Sequence, residues 1–148
     1  MAFRNEWMFM DDAIRKQLVL DDTDFCYYYL LRDSGGYGAS NANNRIDNFK
    51  KSVARYGDNP AVMGYKAKEI EKFSHDLYYG LLQYLEPQLA ASGRIALVPM
   101  PTSIPKTHDD FDDRLERLCQ LSAGMSRICD YVEVFDAAQA TRLIICGI

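Results

Sequence analysis

Apolar residues recur at two different spacings along this chain. From about Tyr65 to Ala91 they fall three and four residues apart, at Ile70, Phe73, Leu77, Leu81, Tyr84 and Leu85. That spacing places them on one stripe of a long amphipathic helix. Lys66, Lys68, Glu69, Glu71 and Lys72 cluster at its start and read as its solvated face or end, and Gly93 reads as its stop. The same period predicts a helix from about Asp112 to Arg127, with Leu115, Leu118, Cys119, Leu121 and Met125 on one side. Two shorter helices are predicted. One lies within residues 6 to 20 and carries Trp7, Met8, Ala13, Ile14, Leu18 and Val19; the other carries Ile46, Phe49 and Val53 and is capped by Asn43 or Asn44. Tyr56-Gly57-Asp58-Asn59-Pro60 forces a turn.

Shorter apolar runs read as strands. Phe25 to Leu31 is aromatic-rich and bounded by turn residues. Ile95-Ala96-Leu97-Val98 stops at Pro99 and Pro101, Tyr131 to Phe135 alternates, and Leu143 to Ile148 is a last apolar run. Strands interleaved with helices predict an α/β fold, a Rossmann-like parallel sheet flanked by helices. In that fold residues 95 to 98 form a central strand, with Leu97 and Val98 on opposite faces of the sheet. The Ile70–Leu85 stripe is then expected to be buried against it.

The 148 residues fit a single domain, 1–148, large enough for a real core. A net charge of −4 argues against a broad basic surface for nucleic acid, though not against a local anion pocket. Cys26, Cys119, Cys129 and Cys146 form no C-x-x-C pair, and with only His75 and His108 available there is no zinc spacing. They read as reduced core residues of a cytoplasmic protein. No signal segment and no membrane-length apolar run is present in the sequence.

The chemistry concentrates after the 95–98 run. The stiff loop 99 to 108 offers Thr102, Ser103, Lys106 and Thr107, and its hydroxyls, ammonium and backbone N–H groups suit a phosphate. It also reads as a rigid connector. His108-Asp109-Asp110-Phe111-Asp112-Asp113-Arg114 holds four carboxylates in five positions; helix capping accounts for them more simply than a magnesium site. Arg114, at the helix start, is placed to grip an anion or pair with Asp110. Gly35-Gly36-Tyr37-Gly38 lacks the spacing of a nucleotide-binding glycine motif and reads as a mobile hairpin or loop. His75 reads as a surface or edge residue.

Taken together, an aromatic strand, then Asn44-Arg45-Ile46-Asp47-Asn48-Phe49-Lys50, then Tyr65-Lys66 opening a long helix to Leu85, then Val98-Pro99-Met100-Pro101 with Arg114 downstream, form a pattern. Over residues 24 to 127 it resembles the first half of bacterial phosphoribosyltransferases related to the competence-protein F family. The resemblance implies that loop 99 to 106 and Arg114 contact the pyrophosphate of phosphoribosyl pyrophosphate (PRPP), carried with magnesium. Thr102, Ser103, Lys106 and Arg114 are the implied ligand-binding residues. The family's second signature, an acidic pair followed by a Thr-Gly loop for the ribose 5-phosphate, has no match after Phe135; Asp130 and Asp136 are isolated and Gly147 is the sole glycine there. The expectation is a truncated or inactive PRPP-dependent transferase that retains the pyrophosphate-side loop. The partner would be a phosphorylated small molecule, with a homodimer or protein complex allowed. The alternative is a non-enzymatic protein-interaction module, of the kind found in bacterial defence or toxin assemblies.

Overall fold

A computed structural model describes residues 8–9, 12–17, 27–92, 95–100, 104–125, 132–134 and 144–146. The elements run β1 (Met8–Phe9), α1 (Asp12–Gln17), β2 (Tyr27–Tyr28), α2 (Asn41–Phe49), α3 (Val53–Tyr56), α4 (Pro60–Ser92), β3 (Ile95–Pro99), α5 (Arg114–Ala123), β4 (Val132–Val134) and β5 (Ile144–Cys146).

Helix α4 dominates. Its 33 residues outweigh all the described strands together. It begins five residues before the Tyr65 expected from periodicity. Asn59 accepts the Val62 N–H at 3.2 Å through its side chain, and Pro60 opens the helix where its missing N–H costs nothing. The turn expected over 56 to 60 is therefore the junction of two helices. Ile70, Phe73, Leu77 and Leu81 are buried, as their spacing requires, and Tyr78 joins them. The side chains of Tyr84 and Leu85, and Gly93, lie outside the described residues.

The expected Rossmann-like sheet flanked by helices is overturned. The chain is predominantly helical, and only β3 among the described strands exceeds three residues. Parallel pairing is confined to a patch in which β3 lies between β4 and β5. The described part of the aromatic run Phe25–Leu31 adds no strand to it: β2 is two residues long and pairs antiparallel with β1, Met8 opposite Tyr28 and Phe9 opposite Tyr27. Nor does the α4 stripe lie chiefly on the sheet. It packs on α2 and α5, while α5 covers β3 and β4. Helix-on-helix packing won because α2, α4 and α5 each carry an apolar face broad enough to satisfy the others. Phe49, Ile70, Phe73, Leu77, Tyr78, Leu81, Leu118 and Cys119 form one core, with Leu97 as the strand's contribution.

The expectation for residues 95 to 98 does hold. β3 is the central strand of its patch, and Leu97 and Val98, which point to opposite faces, are both buried. Two small buried residues let α4 and α5 approach closely. The Ser122 hydroxyl donates to the Ser74 carbonyl at 2.9 Å and to Leu118 at 2.8 Å. Cys119 is buried in the core; Cys26 and Cys129, and the Cys146 side chain, lie outside the described residues. Among the described residues no helix is long and apolar enough to cross a membrane.

Candidate anion-binding site

Lys66 sits one turn before Ile70 on the apolar stripe of α4. Counting 66, 70, 73 and 77 along a helix keeps to one face, so the sequence itself places this lysine toward the core. It is 2% exposed, and Glu69 is buried nearby, while Lys68, Glu71 and Lys72 face solvent. The assignment of the whole charged cluster to a solvated face is thus wrong for Lys66 and Glu69. The ammonium has two partners. It donates to the Lys51 carbonyl at 2.7 Å and to the Asp112 carboxylate. Burial pushes its pKa below the ordinary lysine value, against the opposing pull of Asp112, and the nearby Arg114 charge adds to the lowering.

Arg114 reaches the same oxygen. Its Nη1 donates to Asp112 Oδ2 at 3.0 Å, and its backbone N–H donates to Asp112 Oδ1 at 3.2 Å. The guanidinium carbon lies 5.5 Å from the ring centre of the buried Phe49, a cation–π distance. The arginine therefore pairs with Asp112 and not with Asp110, whose N–H is bonded to His108 Nδ1 at 3.1 Å. The capping expectation is met in part. Asp112 caps the first N–H of α5, whereas Asp113, at the N-cap position, makes no side-chain cap bond.

Two cations from different helices thus converge on one carboxylate oxygen. They stand where the connection from the C-terminal end of the central strand β3 enters α5. The anion these donors hold is the carboxylate of Asp112 itself; a phosphate oxygen accepts hydrogen bonds of the same kind. Lys106, also expected in the site, is held by Glu116 at 2.6 Å; Glu116 is two residues beyond Arg114, on another side of α5. Thr102 and Ser103 lie outside the described residues. Lys66 and Asp112 are the members that loop composition did not single out.

A second network, partly buried, ties α2 to α4. Arg45 donates to Glu69 at 3.1 Å and Asp76 at 2.7 Å, and its guanidinium lies 4.4 Å from the Phe73 ring centre. Burial works against its charge, but Asp76 and Glu69 raise its pKa above the ordinary arginine value. Lys72 completes the chain at 2.7 Å from Glu69. His75, beside Asp76, is exposed, as expected.

The glycine-rich loop is tied down from beneath. Ser40, and neither Asn43 nor Asn44, caps α2. Asn43 is fully buried, and its amide donates to Asp33 Oδ1 at 2.8 Å, the Gly35 carbonyl and the Gly36 carbonyl at 3.2 Å. Its oxygen accepts the Asp33 N–H at 3.1 Å. The Gly38 N–H donates to Asn44 Oδ1 at 2.5 Å, and Gly38 turns the chain with φ of 91°, a conformation that favours glycine. Of the expected mobile hairpin or loop, the segment is a loop, bonded to Asn43 and Asn44 of α2 at several points.

No protein-family model matches the chain, and neither a curated protein nor a solved structure matches it. Among the described residues no group of three or more histidine, cysteine or acidic side chains is arranged to hold a metal ion.

Proposed function

We propose that this protein is phosphoribosyltransferase-like in function and binds the diphosphate group of PRPP through Lys66 and Arg114. The observation that carries this reading is the convergence of a buried ammonium and a guanidinium on Asp112 Oδ2. Burying a lysine is costly unless its charge is paired; Asp112 pairs it here, and a bound diphosphate would take the place of that carboxylate on both cations. Here the charge sits at the start of the helix that follows the central strand, where N–H groups and the helix dipole also favour an anion. Magnesium would arrive on the ligand's own phosphates, since no metal-holding group is seen among the described residues. The proposal is for binding; no residue is assigned to a transfer step. A cytoplasmic location is part of the same proposal, in keeping with a phosphorylated metabolite as ligand.

Affinity is expected to be modest, millimolar to high micromolar, or roughly 4–6 kcal/mol. Calorimetric titration of pyrophosphate and PRPP, with and without magnesium, into the wild type, Lys66→Met and Arg114→Ala measures it directly. Binding by the wild type that weakens in both variants supports the proposal. Absence of binding at millimolar ligand, or equal heats from all three proteins, refutes it and favours a protein-docking module.

A further inference from the structure

The outward face of α4 carries a pattern of its own. Tyr65, Lys68, Lys72, His75 and Tyr79 stand alternately three and four residues apart, so they share one stripe of the helix. All five are exposed, Tyr65 by 58% and Tyr79 by 62%, while Lys66, Ile70, Phe73 and Leu77 occupy the inner side. The stripe is about 21 Å long, at about 1.5 Å of rise per residue.

Its chemistry runs against that of the whole chain. A tyrosine stands at each end, with two lysines and a histidine between, on a chain of net charge −4. None of the five positions is acidic. Glu71 lies at the edge of the stripe, and Glu69 and Asp76 are engaged by Arg45. Lys72 donates to Glu69 at 2.7 Å, yet its side chain is 59% exposed and its ammonium has further N–H donors. The Tyr79 ring stands edge-on to the buried Tyr78, with ring centres 5.3 Å apart. It is thus braced in its exposed position, and a ring held in this way loses little freedom when a partner covers it.

We infer that this stripe docks an acidic amphipathic helix of another protein. Alternating three- and four-residue spacing is that of a helix–helix seam. Carboxylates of the partner lie opposite Lys68 and Lys72, and its apolar side chains cover the tyrosine rings. A second copy of the chain fits poorly, because pairing across a two-fold axis sets the lysines against their own kind. A nucleic acid also fits poorly, because so few cations on an acidic chain neutralise too few phosphates. Lys66 lies on the inner side of the helix, and docking here requires no anion at that site.

Fluorescence anisotropy of labelled synthetic helical peptides, about three heptads long, tests the assignment. One peptide carries leucine, three glutamates and leucine along its seam; the other has lysines in place of the glutamates. The glutamate peptide should bind wild type at about 10–100 μM, and the lysine peptide at least about tenfold more weakly. The double variant Lys68→Glu, Lys72→Glu should reverse that preference. Lys68→Glu alone, which leaves the Lys72–Glu69 pair intact, should shift it the same way. Tyr65→Ala and Tyr79→Ala should each weaken the glutamate peptide about fivefold, with the urea midpoint unchanged. Absence of glutamate-peptide binding at millimolar concentration, or a preference that charge reversal leaves unaltered, overturns the inference. So does tighter binding of an oligouridylate through the same residues, or self-association of the wild type that Tyr79→Ala abolishes.

Discussion

Asp112→Asn isolates the charge at the centre of the site while preserving its shape. In the wild type the Lys66 side chain is 3% exposed and that of Asp112 15%, so the pair is nearly dry on one side. Removing one partner of a fully buried ion pair costs about 3–5 kcal/mol, whereas exposed pairs contribute about 0–1 kcal/mol. Asparagine still offers Lys66 an acceptor, and the Lys51 carbonyl stays in place. The loss is therefore the charge alone, and about 2 kcal/mol of stability at pH 7 is expected, read by urea titration with two-state fitting. The sign of the pH dependence follows from Lys66. Its folded pKa lies below the ordinary lysine value of 10.5, so between the two values the unfolded chain binds more protons and stability rises with pH. Losing Asp112 lowers the folded pKa further. The deficit of the variant should thus be full at neutral pH and shrink as pH climbs toward 10.5. Pyrophosphate restores negative charge beside Lys66 and Arg114, so it should stabilise Asp112→Asn more than wild type. A loss below about 0.5 kcal/mol, with no coupling to Lys66→Met in a double-mutant cycle, refutes the reasoning.

Two further changes probe the frame around the site. Leu77→Ala should cost roughly 2–5 kcal/mol in the same urea titration, because Leu77 is buried where α4 meets its neighbours; a change under about 0.5 kcal/mol would show that the stripe is not core. Asn43→Ala removes the amide beneath the loop and leaves the Gly35 and Gly36 carbonyls without it; about 1–3 kcal/mol should be lost, with faster amide exchange at residues 33 to 38 than in the wild type, and unchanged exchange there would show that Asn43 does not hold the loop.

Some of this was legible in the sequence because the signals were local. Pro99 and Pro101 follow the 95–98 run and end it, and a short apolar run so ended became the buried central strand. The α4 stripe was read directly from its period. What the stripe packs against was not, since periodicity gives a face and never its partner. The Phe25–Leu31 run misled because aromatic residues suit a strand and a core margin equally; Tyr29 and Leu30 lie partly buried against the helical core. Asn43 was misread as a cap because three asparagines stand within four residues at the start of α2. Its actual partners lie seven to ten residues upstream, beyond any capping pattern. Lys66 was misread for a different reason. Its position in the helical register pointed inward, but a lysine within a charged cluster is ordinarily solvated, and only a carboxylate arriving from 46 residues away made burial tolerable.

That last case ties the core to the site. Lys66 shares a helical face with Ile70, Phe73 and Leu77, so whatever seats the stripe also sets the depth of the ammonium. Phe49 serves both sides: its ring meets Phe73 edge-on at 5.1 Å within the core and lies 5.5 Å beneath the Arg114 guanidinium. The Ser122–Ser74 bond fixes how closely α5 approaches α4. The spacing between Lys66 and Arg114 therefore rests on three packed helices and on Asp112, from the connection between β3 and α5, which bonds both. Packed cores resist small displacements, so the two cations are held at a fixed separation around Asp112. A site of this kind tolerates variation in loop 101 to 107 better than it tolerates a change of volume at Phe49.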